Sequence, residues 1–438
     1  MHGAGRSGAA GKTRGRCRDV RNRTTAVLAA LGLVPVLTLA GCSAPEPELL
    51  AADGVQQQSV ALHEYPEAAA SLQDATLKLG AAMLAGRPEA NQVTSPASLL
   101  YALAMLRAGA GTTTAAEMDA ALGLPAQGRD EAMNALLTAW QEHDGDPGSV
   151  DEDEPPVTPL LHLANGVFVD AGTPTGEEYL ARLAEHYGSG VYPVDYADPA
   201  TKDKLDAWVD HNTGGRITEA PGGYDEDNTL TLLNAVYFAA AWADPFSPSS
   251  TKTEDFTLLN GEVIQAEAMG KLLRADYARG EGWQGMDLPY NEGFLMRLVL
   301  PDEGSPVLDE AALATVNRAM AAANPARVSL GLPKWEHDYT QNLIPVLRGL
   351  GLAETLGPAP DLHAIQPEAR VTGATQQANI TVGEKGTVAA AVTQLDVMAG
   401  SLPPPPDVKL DFNRPFLYQI IHAETGLPLF LGTVMDPR

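Results

Sequence analysis

At 438 residues the chain is long enough for one large domain or two ordinary ones. Its 45% apolar and 19% charged residues describe a globular chain, and Gly 42 with Pro 33 stay below the level of low-complexity sequence. Lys+Arg 29 against Asp+Glu 56 gives a net charge of −27, which repels phosphate backbones and excludes a nucleic-acid partner; two cysteines cannot build a disulfide framework or a Cys-ligated zinc site.

The charge is unevenly placed. Residues 1–23 carry seven Arg or Lys and one Asp, and from Thr24 to Cys42 (TTAVLAALGLVPVLTLAGC) there is no charge at all. A basic stretch followed by a short apolar run reads as a bacterial-type export signal over 1–41. Pro35 and the small residues at its end argue for cleavage rather than a permanent membrane helix. Leu39-Ala40-Gly41-Cys42 resembles the lipobox of bacterial lipoproteins, which implies lipidation of Cys42, a membrane anchor and an extracytoplasmic, cell-surface location. Residues 42–70, polar and rich in Pro, Ala and Gln with little periodicity, read as a tether.

From residue 71 to 438 neither a linker-like break nor an internal repeat interrupts the chain. Helical patterns come first. Leu72, Leu77, Leu79, Met83 and Leu84 precede a helix over 96–107, and Thr114-Ala-Ala-Glu117 is a capping-box pattern for a helix over 115–122. Further helices are predicted over 130–141, 177–187 and 200–212. Strand patterns follow, at 232–238, 294–300, 327–332, 410–412, 416–421 and 428–434. Helices before strands argue for an α+β fold. Residues 142–157 hold seven acidic groups. Pro147 and the absence of a closing glutamate disfavour a calcium loop through Asp144, Asp146, Asp151 and Asp153, so a solvated insertion is expected.

Enzyme motifs are nearly absent. The nine histidines are scattered, and no GxSxG elbow, phosphate-binding loop or dinucleotide fingerprint occurs, so no cofactor is expected. Ser249 and Lys252 satisfy SxxK, the nucleophile motif of penicillin-recognising hydrolases. The companion SDN is missing, however, Lys385-Gly386-Thr387 inverts the required KTG, and Ser249 follows two prolines rather than opening a helix.

The unusual stretch is 383–408, GEKGTVAAAVTQLDVMAGSLPPPPDV. Thr387, Val388, Val392 and Thr393 are β-branched and resist a helix. Read with period two, positions 387, 389, 391, 393, 395, 397 and 399 are small or apolar and uncharged, while both long polar side chains fall on the other face. Gly386 permits a hinge before this segment, and Pro403–Pro406 stop a strand after it. The loop is equipped to become a strand.

With these residues in view, 71–438 resembles a serpin. Leu410–Ile420 (LDFNRPFLYQI) is similar to the family's C-terminal signature, followed by Thr425-Gly426 through Gly432 and Asp436-Pro437. Ser95-Pro96-Ala97-Ser98 with Ala104-Met105-Leu106, Asn234–Phe238 with Trp242 and Phe246, Leu298–Pro301, Leu332-Pro333-Lys334, and Leu350-Gly351-Leu352 with Asp361-Leu362 follow the family order. The resemblance implies a single α+β domain of three β-sheets and eight to nine helices, with an exposed reactive-centre loop over about 384–408.

It also implies a function: suicide inhibition of an extracellular serine protease by a monomer that needs no cofactor. The loop is cleaved, the acyl-enzyme is trapped and the freed loop inserts as a strand. Inhibitory members begin this loop with Glu-x-Gly-Thr/Ser and small residues, and Glu384, Gly386, Thr387, Ala389, Ala390 and Ala391 fit that hinge. Family spacing puts the reactive bond at Gly400-Ser401, with Met398-Ala399 and Ala399-Gly400 as alternatives. Small residues there suit an elastase-like or subtilisin-like enzyme. Ser95, Ser98, Asn234 and Trp242 match the region beneath the moving loop, and Gln376 stands where many members place a histidine. A carrier of the same fold that binds without inhibiting is the alternative, and the conforming hinge argues against it.

Overall fold

The computed structural model describes residues 46–125, 127–151, 154–220, 225–388 and 405–438. The helices are α1 (Pro66–Leu84), α2 (Pro96–Ala108), α3 (Thr112–Leu122), α4 (Arg129–Gln141), α5 (Glu177–Tyr187), α6 (Thr201–Asn212), α7 (Glu310–Ala321) and α8 (Ile344–Gly349). The strands are β1 (Gln92–Thr94), β2 (Leu160–Asp170), β3 (Tyr192–Val194), β4 (Leu230–Ala241), β5 (Thr251–Thr257), β6 (Val263–Gly280), β7 (Trp283–Pro289), β8 (Phe294–Pro301), β9 (Asn324–Pro333), β10 (Trp335–Asn342), β11 (Val371–Val382), β12 (Gly386–Thr387), β13 (Val408–Asp411), β14 (Phe416–His422) and β15 (Pro428–Val434).

Local chemistry sets several helix ends. Ser95 is extended and its hydroxyl accepts the Ser98 N–H at 3.3 Å, with Pro96 pre-set at the first helical position, so α2 starts there. Gly123 and Gly188 end α3 and α5 in the left-handed conformation that suits glycine. Every residue of α2 except Arg107 is buried, because this helix lies inside the molecule rather than along its surface. The helices expected at 96–107, 130–141, 177–187 and 200–212 are found within one residue.

The capping box is not used. α3 begins two residues before Thr114, with Gly111 as its cap. The Thr114 hydroxyl donates to Glu354 Oε1 at 3.0 Å and accepts the Asp361 N–H at 2.8 Å, while Glu117 accepts the N–H groups of Glu354 and Thr355 at 2.8 and 2.7 Å. Both residues serve a distant turn instead of their own helix end.

Hydrogen-bonded ladders join the described strands into two sheets. One has nine strands, in the order β1-β15-β14-β8-β7-β6-β9-β13, with β5 added on β6. The other has six, β10-β11-β12-β4-β2-β3, and β11 also pairs directly with β4. Three sheets are expected, but β6 is shared: it pairs with β5 up to Met269, with β9 from Ala268 to Tyr277, and with β7 from Tyr277 to Gly280. Nor are strands confined to the later half. β2 and β3 arise among the helices and form one side of the six-stranded sheet.

The segment expected as a free tether is docked over its described part. Leu50 exchanges both backbone hydrogen bonds with Val191, at 2.8 and 2.9 Å, and Gln58 N–H donates to Glu185 O at 2.8 Å. Asn134 of α4, fully buried, donates to Gln58 O and accepts the Val60 N–H. α1 then starts at Pro66, so the folded body begins before residue 71. Low periodicity hid this docking, because an extended strap is held by its backbone and needs no apolar stripe.

The acidic insertion is mostly exposed but anchored. Asp144 meets His162 Nδ1 at 2.7 Å, Asp146 accepts the Gly148 N–H at 2.8 Å, and Pro156 O accepts the Ala241 N–H at 3.0 Å. Ser249 lies in a 3-10 turn with its hydroxyl 2.9 Å from Ser247 Oγ, and Lys252 is exposed on β5, which among the described strands pairs only with β6. Neither sits as a helix-borne nucleophile and its base would. Residues 1–41, Cys42, Ala389, Ala390, Ala391, Gly400 and Ser401 lie outside the described residues.

Candidate functional site

The six-stranded sheet changes character along the line between β4 and β11. From Val371 to Ala378 the two strands pair directly and in parallel with Leu230 to Val236. Beyond that point they part, and β12 fills the space. Gly386 and Thr387 pair antiparallel with Ala241 and Ala240 of β4, and Thr387 pairs with Val382 of β11. A tight hairpin turns the chain: Gly383 N–H reaches Gly386 O at 3.0 Å and Val388 N–H reaches Thr381 O at 2.7 Å. The start of the segment predicted as a potential strand is already a strand, seated between two others.

Why glycine and threonine occupy this seat is a matter of space. A Cβ on Gly386 would stand 2.1 Å from Ala240 O and 2.9 Å from Ala241 Cα, so any side chain there would force the strands apart. Thr387 is buried and shares a hydrogen bond with the Tyr290 hydroxyl. Burial pushes that phenol well above its ordinary pKa, outweighing the Thr387 bond, so it stays neutral. On the opposite face Val388 packs with Tyr237 and Ala239. Its φ of +64° is strained for a β-branched residue and marks the point where the chain leaves the sheet.

The turn 383–386 is gripped by the segment that follows β4. Trp242 is buried, its indole N–H donates to Gly383 O at 2.9 Å, and its backbone N–H donates to Lys385 O at 2.8 Å. Phe246 N–H donates to Glu384 O at 2.8 Å. The Trp242 ring stacks on Tyr290 with centroids 4.2 Å apart. Glu384 is buried, and its carboxylate accepts from the Thr251 hydroxyl at 2.8 Å with Lys334 Nζ at 3.7 Å, so its charge is met rather than stranded.

Lower on the same line a polar cluster sits under the closed part of the sheet. Gln376 of β11 accepts the Ser95 N–H through Oε1 at 2.7 Å; its Nε2 donates to Ser95 O at 2.9 Å and to Asn234 Oδ1 at 2.6 Å. Asn234 of β4 donates to the Ser98 hydroxyl and to Asn165 Oδ1. Ser95 Oγ donates to Leu429 O at 2.6 Å. All five side chains are buried. One amide thus ties β11 to the start of α2 and to β4, which is the joint that would part if a strand entered between β4 and β11.

Ser95, Ser98, Asn234 and Gln376 are therefore brought together, and Trp242, Glu384, Gly386 and Thr387 form a second group above them. Sequence reasoning missed Asn165, Tyr290 and Thr251, and marked Lys334 only as part of the motif Leu332-Pro333-Lys334 without a role. Asn165 had a signal, a lone amide in the apolar run Leu163–Phe168. Tyr290 and Thr251 had none, since they act only through groups far away in the chain. Among the described residues no group of three or more His, Cys, Asp or Glu is arranged to hold a metal, and no helix is long and apolar enough to cross a membrane.

The model of the Serpin (serine protease inhibitor) family matches residues 70–437. Serpin-Z1C of Triticum aestivum is 30% identical over 367 residues, covering 79% of this chain and 90% of its own. Alpha-1-antiproteinase 2 of Equus caballus is 28% identical over 408 residues, covering 91% and 93%. Among solved structures, the thermophilic serpin Tengpin in its native state superposes with a TM-score of 0.72 at 22% identity, over 90% of this chain and all of that one. Thyroxine-binding globulin in complex with thyroxine gives 0.72 at 22%, over 85% and 99%. At that identity the two structures speak for the fold, but the family model spans nearly all of the described body. The chain belongs to the serpin family.

Proposed function

We propose that this protein inhibits an extracellular serine protease by offering the loop between β12 and β13 as bait. The observation that carries the reading is the seating of Gly386-Thr387 between β4 and β11. A segment that has entered the sheet by two residues, and continues with Val388 and three alanines, meets little bulk if it goes further. A protease would attack the loop with its own serine, at Gly400-Ser401 by family spacing. The freed strand would then insert and carry the acyl-enzyme away before it deacylates.

Energetics support the direction. Insertion would break the single ladder between β4 and β11 and replace it with two. The net gain is roughly five to ten hydrogen bonds, or about 5–10 kcal/mol at about 1 kcal/mol each. That is comparable to the stability of an ordinary domain, so the intact form would be a kinetic trap. Members of the family are in general inhibitors rather than hydrolases, and generally secreted or extracellular. Export followed by lipidation at Cys42 fits that location.

Mixing the protein with an elastase-like and a subtilisin-like enzyme tests the reading. An adduct that survives denaturing electrophoresis is expected, with a released fragment beginning at Ser401. Cleavage without capture would point instead to a binding protein of this fold. Mass analysis of the membrane-extracted chain checks for a lipid on Cys42.

A further inference from the structure

Of the two residues seated between β4 and β11, only Thr387 carries a side chain, and it is met by a group from the other sheet. Tyr290 follows directly on β7, and its backbone is fixed there. Its N–H donates to Phe294 O at 3.0 Å, while the flanking Ala243 N–H donates to Pro289 O at 3.0 Å and Asn291 N–H to Ala241 O at 3.2 Å. The ring is held as firmly as the backbone. Trp242 stacks on it with centroids 4.2 Å apart, and Phe238 of β4 meets it edge-on at 5.3 Å. So placed, the ring cannot follow the hinge if the hinge moves.

Tyr290 and Thr387 are both buried, and among the described residues each hydroxyl has the other as its one hydrogen-bond partner. A buried hydroxyl left without a partner costs more than the bond itself contributes. The Tyr290 hydroxyl is therefore satisfied while Thr387 pairs with Ala240 and Val382, and stranded when it does not. A slip of one position would turn the side chains of the hinge to the opposite faces of the sheet. By sequence, a slip of two or four would offer Ala389 or Ala391, which carry no hydroxyl. Insertion extends the strand that Gly386 and Thr387 begin, so the register fixed at Thr387 is the one the rest inherits.

We propose that Tyr290 is the positioning residue of loop entry: its hydroxyl holds Thr387 in the register from which the loop extends into the sheet. This rests on the inhibitor reading above. Tyr290→Phe keeps the stacked ring and removes the hydroxyl. Hydrogen exchange at the Val388 amide is then expected to quicken about tenfold, the order set by a buried hydroxyl losing its partner. With an elastase-like or subtilisin-like enzyme, about twofold or more inhibitor should be consumed per protease captured, since the same lost bond delays the first step of insertion. Attack on the loop should be no slower. Adding Thr387→Val removes the second hydroxyl with little change of shape, and should bring both readings most of the way back. A merely structural Tyr290 would not be rescued by a change at Thr387. Unchanged exchange in Tyr290→Phe overturns the proposal, as do faster exchange with undiminished capture, slower attack that accounts for the lost capture, or a double variant that does not recover. If the wild type is cut but never captured, the inhibitor reading fails, while the hold on Thr387 is still read from exchange in wild type, single and double variants.

Discussion

Gln376 and Gly386 show what single residues contribute to a sheet that is closed and, on the inhibitor reading, must be able to open. Gln376 uses both ends of one amide, accepting from Ser95 N–H and donating to Ser95 O and Asn234 Oδ1. An amide cannot acquire charge, so this joint does not titrate. Gly386 acts by having no side chain. Gly386→Ala would place a methyl carbon 2.1 Å from Ala240 O, and expulsion of the hinge from between β4 and β11 is the expected relief. Hydrogen exchange should show lost protection at the Val388 amide, and with protease a larger share of the variant should be cut without capture. Retained protection and undiminished capture would show that the seat tolerates a side chain.

At the scale of elements, one imidazole joins three of them. His162 on β2 meets Asp144 of the acidic insertion through Nδ1 at 2.7 Å and Asn212 at the end of α6 through Nε2 at 2.9 Å. The Asn212 amide nitrogen is committed to Trp208 O at 2.6 Å, so its oxygen faces the ring. Both ring nitrogens therefore point at acceptors, which suits the imidazolium. Burial alone would lower the pKa of His162, but the bonds to Asp144 and Asn212 and the charges of Asp144 and Asp146 outweigh it and hold it above 6.5. A folded value above the unfolded one means that the stabilisation is complete below about pH 6.5 and fades as pH rises through the raised value. Heat-unfolding midpoints of wild type and His162→Gln should thus differ most in mild acid and converge above neutrality. A gap independent of pH would refute the linkage.

Elements differed in how plainly the sequence announced them. β4, β14 and β15 are buried along nearly their whole lengths and read as apolar runs. β5 (TKTEDFT) is exposed at five of seven positions and among the described strands pairs with β6 alone, so no periodicity betrays it. β6 alternates irregularly over 18 residues because it changes partners along the way. The pair Thr114 and Glu117 had the right chemistry for a helix cap but found better partners in the turn around Glu354 and Asp361. Propensity was overruled by tertiary contact.

For the whole molecule, the expected consequence of cleavage is a more stable protein. Inserting the severed strand should add about 5–10 kcal/mol by the hydrogen-bond estimate, which for a chain of this size raises the melting point by about 6–12 °C. Calorimetry before and after a single cut in the loop measures this directly. A cut chain that melts where the intact one does would mean that the sheet stays closed, and the trapping step would have no driving force.

The sequence by itself determined the family and the α+β class, through motifs in a set order, and the chemistry of the hinge, because small uncharged side chains are a local property that composition displays. It also marked Ser95, Ser98, Asn234, Trp242 and Gln376. Only the tertiary structure decided how these meet: that Gln376 grips Ser95 across 281 positions of chain, that two hinge residues are already seated against β4, that the supposed tether is docked, and that Arg327 holds Pro405. Hydrogen bonds between residues so far apart leave no trace in local pattern, since any of many polar groups could have supplied the partner and folding alone selects which one does.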